Sequence, residues 1–131
     1  MTPAEQDLAR RLADHPAWRW VPGMVVTMIE SGDFDVVARV NDFGVARLSD
    51  GTECASWRCL PDLSSWATIG IVEGQVRERR KGDYYAIQSR SPHMHGRDYY
   101  AYGVRKPIEG RSWGEAIALS WLAAHGERWQ A

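Results

Sequence analysis

No apolar run in these 131 residues approaches the roughly 18–20 that a membrane-spanning helix needs. The first residues lack the basic-then-apolar layout of a secretory leader, so the expected setting is the cytoplasm. Cysteine is scarce: Cys54 and Cys59 alone make no disulfide framework and fit reduced thiols. No Gly-rich loop sits between a strand and a helix, which argues against a phosphate-cradling nucleotide site; Gly70 and Gly74 lie inside an apolar helical stretch. Repeats, linkers and low-complexity tracts are absent too. Lysine is nearly missing, with two against fourteen arginines, and arginine suits bidentate anion contacts.

The charge that is present is unevenly placed. Between Arg77 and Arg111 stand nine basic residues against four acids, and all five tyrosines lie in the same block. The remainder carries seven bases and thirteen acids, so a basic face exists on a chain whose net charge is only −1. Seven tryptophans supply large buried areas, and most are expected in the core or at its edge. Trp18, Trp20 or Trp129, if exposed, would allow a homodimer.

Local patterns predict an α+β chain. Thr2-Pro3-Ala4-Glu5 is a capping box with proline in the first turn, and Ala4, Leu8 and Leu12 continue as an apolar stripe. Pro16 ends that helix near Asp14. Strands are expected over Met24–Glu30, Asp33–Val40, Val45–Leu48 and Glu53–Arg58, joined by turns at Ser31-Gly32, Asn41–Gly44 and Asp50-Gly51. In the second, Phe34, Val36, Ala38 and Val40 alternate with Asp35, Val37 and Arg39, so one face is expected to be buried. Ser64 or Ser65 should cap a second helix with Trp66, Ile69, Val72 and Val76 on its apolar face. Gly70 and Gly74 inside it point to close approach of a neighbouring element. Its basic end, Arg77 to Lys81, suits the helix dipole, and Gly82 stops it. Strands over Tyr84–Arg90 and Tyr99–Lys106 follow. A last helix opens at Ser112-Trp113-Gly114-Glu115, carries Trp113, Ile117, Trp121 and Ala124 on one face, and ends at Gly126. A single domain over 1–131 is expected, with a helix and meander over 1–60 and a helix-strand-strand-helix unit over 61–126.

PDLSSWATIG, from Pro61 to Gly70, leads through a helix and two strands to SWGEAIALSWLAA, from Ser112 to Ala124. That arrangement resembles small phage and prophage proteins of the ABA sandwich type, over about residues 60–125. The resemblance implies an antiparallel sheet covered by helices in α/β/α layers, and a phage or prophage setting. Such accessory proteins often bind host machinery, including immune systems. The group has no established catalytic residues to carry over, and the segment from Ser89 to Asp98 departs from its pattern.

Three function classes are set apart by particular residues. The first is non-catalytic binding of a host protein or nucleoprotein complex, with anti-defence inhibition, as by an anti-CRISPR protein, one concrete form. Its anchors would be Arg79, Arg80, Tyr85, Arg97, Tyr100 and Arg105, as anion-directed groups with aromatic stacking. The second is direct nucleic-acid binding by residues 77–111, with arginines on phosphates and rings on unpaired bases. The third is metal-dependent catalysis at His93-Met94-His95, with Asp98 or a cysteine as further ligand. Pro92 and Gly96 flank that pair as in a plain loop, and Cys54 lacks the sharp elbow of a nucleophile. No enzyme activity, cofactor or membrane partner is therefore expected.

Overall fold

The computed structural model describes residues 1–79, 85–89, 99–102 and 107–126. Among them are three helices and two antiparallel sheets, an α+β fold. The chain divides into two compact units, Met1–Ile71 and Val72–Ala131.

The first unit opens with α1, Pro3–Ala13. Its capping box forms in both directions: Glu5 N–H donates to Thr2 Oγ1 at 3.1 Å and Thr2 N–H donates to Glu5 Oε1 at 2.8 Å. Leu8, Ala9 and Leu12 are buried on one face. Strands β1 (Val25–Met28), β2 (Phe34–Val40), β3 (Ala46–Leu48), β4 (Glu53–Cys54) and β5 (Cys59–Pro61) follow, in the sheet order β4-β3-β2-β1-β5. The β1–β2 hairpin turns through Gly32 at φ +74°, a backbone conformation that disfavours any residue with a Cβ. Helix α1 lies against β5.

Here the segment from Glu53 to Arg58 is not one strand. Its first two residues form β4, residues 55–58 turn, and β5 begins at Cys59. Hydrogen bonds from Arg58 N–H (2.8 Å) and Cys59 N–H (3.0 Å) to the Ala55 carbonyl hold that turn. The turn also carries the chain from one edge of the sheet to the other, so the sheet must curl. Met24, Val26, Val37, Ala46, Leu48, Cys54 and Cys59 are buried in this unit.

Burial on β2 reverses the simplest reading of its alternation. Phe34 and Val36, in the fuller apolar file, are exposed, whereas Val37 is buried. The register with β3 shifts between Val37 and Arg39, leaving Ala38 as an extra residue. That bulge turns Arg39 outward and aligns Val40 with buried Ala46. Asp35 lies in the same alternating file as Val37; its carboxylate accepts from the Ser49 hydroxyl and from Val36 N–H.

Helix α2, Trp66–Arg79, contributes residues to both units. In the first, Thr68 is fully buried, and its hydroxyl accepts from Val25 N–H and donates to the Val25 carbonyl, both at 2.9 Å. Among the described residues neither glycine of this helix makes a close approach, contrary to expectation: a Cβ built on Gly70 or Gly74 meets none of their atoms within 4 Å. Replacing both by alanine should therefore raise unfolding stability by about 1–2 kcal/mol through helix propensity alone. A denaturant midpoint that stays the same or falls would contradict this.

The second unit contains a three-stranded sheet, β6 (Tyr85–Ser89), β7 (Tyr99–Tyr102) and β8 (Pro107–Gly110), in that order. Helix α3, Trp113–Ala124, packs on β7 and β8, with Ser112 Oγ accepting from Glu115 N–H at 3.1 Å. Ile108, Ala116, Ile117, Trp121 and Leu122 are buried there. The tryptophans divide: Trp121 is buried and Trp18, Trp20 and Trp113 are half-buried. Trp57 and Trp66 are exposed, and Trp129 lies outside the described residues.

Candidate binding surface

Residues paired across antiparallel strands share a face, so the register identifies the outward file of the first sheet. Val25 pairs with Val36 and Thr27 with Phe34, opposite in sense to buried Val26 and Val37. Phe34 is 67% exposed and Val36 41% exposed, and Ile29 continues the same file beyond β1. Ile29 N–H donates to the Arg58 carbonyl at 2.8 Å, which sets the 55–58 turn beside it. At the tip of that turn Trp57 is 76% exposed, with the Arg58 guanidinium 5.7 Å from the ring centroid. Arginine and large aromatic side chains are the groups enriched where protein interfaces are anchored, and Val36 and Ile29 extend the apolar area beside them.

Past the Ala38 bulge the same face becomes cationic. Arg39 and Arg47 are direct cross-strand partners, and both are exposed. Like charges set opposite one another repel, and an anionic group between them relieves that repulsion. They border an open recess of about 330 Å³, lined also by Val40, Asn41 and Val45. Asn41 shapes its rim, its Oδ1 accepting from Phe43 N–H at 2.9 Å and Val45 N–H at 3.0 Å. Glu53, the other cross-strand neighbour of Arg47, bounds the positive zone.

Comparison with protein-family models, curated proteins and solved structures returned no match.

Of the residues expected to bind a partner, Arg79 is exposed at the end of α2, and its Nε donates to the Ala124 carbonyl at 3.4 Å, at the end of α3. Tyr85 and Tyr100 lie on the adjacent strands β6 and β7, where Tyr85 pairs with Tyr102 and Tyr100 with Gln88. Arg80, Arg97 and Arg105 lie outside the described residues, as do His93, His95 and Asp98. Among the described residues no three His, Cys, Asp or Glu side chains gather to hold a metal ion, and no helix is long and apolar enough to cross a membrane.

Sequence reasoning passed over Phe34, Val36, Arg39 and Arg47 as a surface. Alternation places residues in two files without saying which faces the core, and the bulge that frees Arg39 leaves no signal in composition.

Proposed function

We propose that this chain is a non-catalytic accessory protein that docks on a host protein or nucleoprotein complex, with the outward face of its curled sheet as the contact. The observation carrying this reading is the exposure of Phe34 and Val36 on a regular sheet surface whose opposite face holds the buried core residues. Beside them, the opposed Arg39 and Arg47 favour a partner segment that combines apolar side chains with carboxylates. The phage or prophage setting, and anti-defence inhibition as one form of it, rest on the resemblance over about residues 60–125.

A second reading is direct nucleic-acid binding by the basic, tyrosine-rich block at 77–111, favoured by its surplus of five positive charges. Affinity capture from bacterial lysate, with and without nuclease, separates the two. It should compare wild type, a Phe34→Asp/Val36→Asp variant and an Arg79→Glu/Arg80→Glu variant. The docking reading expects a nuclease-resistant protein whose affinity falls about tenfold or more in the sheet-face variant, with the variant shown to be folded by circular dichroism at the capture temperature. Undiminished capture by that variant removes the sheet face from the proposal. Loss confined to the arginine variant moves the contact to the end of α2. Nucleic acid recovered alone, with affinity falling as salt rises, establishes the second reading instead.

A further inference from the structure

Cys54 ends β4 and Cys59 begins β5, the two outermost strands of the five-stranded sheet. Their sulfurs stand 2.6 Å apart, both as free thiols. A covalent S–S bond is about 2.05 Å long, so closure needs only a small further displacement. The turn between them is already held by its two hydrogen bonds to the Ala55 carbonyl, and Cys59 Sγ lies 3.5 Å from that same oxygen. The arrangement is a preformed dithiol across the seam of the curled sheet.

The geometry points to Cys54 and Cys59 as a reversible thiol–disulfide site that reacts with low-molecular-weight disulfides and locks the two sheet edges together. The two thiols share one proton, so a single thiolate forms first; with that thiolate on Cys59 the exchange starts there, and it runs the same way from Cys54. The hydrogen bond from the Cys54 thiol lowers the Cys59 pKa, and the nearby Arg58 guanidinium acts in the same direction. That same shared proton, together with burial, raises the pKa of Cys54. The Cys59 thiolate displaces one thiolate from the small disulfide and forms a mixed disulfide. Cys54, losing its proton, then attacks the Cys59 sulfur and expels the second thiolate. Two protein thiols and one small disulfide thus become one protein disulfide and two small thiols; a small dithiol reverses the exchange.

Cys54 is 4% exposed and Cys59 fully buried, so the first step requires the 55–58 turn to lift. Strand β4 has only two residues and sits at a sheet edge, where such local opening is easiest. Exchange is accordingly slower than at an exposed thiol but completes without global unfolding.

The test uses the full chain. Glutathione disulfide is added under native conditions and removed, the protein is denatured and treated with iodoacetamide, and intact and digested masses are measured. The expected product has lost two hydrogens, carries no alkyl or glutathione group, and yields a cross-linked peptide spanning both cysteines. Dithiothreitol restores two alkylatable thiols. The oxidised form should melt about 5–10 °C higher, because a closed loop removes freedom from the unfolded chain. Two thiols still alkylatable after the treatment, a persistent glutathione adduct, or chains linked to one another would each overturn the site. An unchanged or lowered melting temperature in the oxidised form would overturn its role as a lock on the sheet edges.

Discussion

Alanine in place of Trp121 should lower unfolding stability by about 3–5 kcal/mol, the range for deleting a buried indole. Trp121 is 1% exposed and has the largest side chain in the fully buried set. Its loss removes three kinds of interaction together. The ring is buried in the second unit, and its Nε1–H donates to Gln75 Oε1 of α2 at 3.0 Å. It also stacks on the His125 imidazole, with centroids 3.8 Å apart and an interplanar angle of 22°. His125 lies at the C-terminal cap of α3, its Nδ1 2.8 Å from the Trp121 carbonyl, so the deletion also loosens the helix end. Phenylalanine at this position keeps much of the packing and loses the indole donor, and its cost should be roughly half as large or less. Denaturant unfolding followed by far-ultraviolet circular dichroism checks both. A penalty below about 1 kcal/mol for the alanine variant would mean that the cavity collapses and that α3 does not depend on this anchor.

Gly110→Ala should be destabilising by about 1–3 kcal/mol or more, through steric conflict with α3. Gly110 ends β8, and a Cβ there would stand 2.5 Å from Ala116 N, 2.9 Å from its Cα and 3.1 Å from its Cβ. The first two contacts are with backbone, which no rotamer change can relieve, so the strand must leave the helix or the helix must shift. Ala116→Gly added to Gly110→Ala would remove only the longest of the three contacts, and rescue should be partial. The same glycine-to-alanine change thus has opposite signs at Gly110 and at the paired sites in α2, and parallel thermal melts of the two variants read the difference directly. An unchanged melting temperature for Gly110→Ala would show that α3 does not hold this close approach in solution.

The parts of the fold legible in the sequence were those decided locally. The Thr2–Glu5 box, the helix stop near Asp14 and the Ser112 cap depend on groups three or four residues apart. The hairpin at Gly32 follows likewise from one glycine in its turn. Parts decided by distant partners were not legible. Pro107–Gly110 has no strand-like composition, and its pairing with Tyr99–Tyr102 supplies what composition does not; proline is tolerated there as the first residue of an edge strand. The exposed file on β2 escaped detection for a related reason. Register, which composition does not reveal, decides it: Val26 and Val37 lie on the file that faces the buried residues, and Phe34 and Val36 lie on the other. In α2 the apolar spacing correctly marked Ile69, Val72 and Val76, but Trp66 at its start is exposed.

The boundary between the two units falls within α2, after Ile71. A cut there would leave six helical residues on one fragment and eight on the other. Isolated helices shorter than about 12–15 residues are marginal in water, so each stub would fray unless its own unit held it. Neither half can be trimmed away at a natural loop without damaging the other's last or first structural element. A fragment ending at Ile71 should therefore show less helix per residue than the intact chain by far-ultraviolet circular dichroism, since its six-residue stub lacks the length to hold itself.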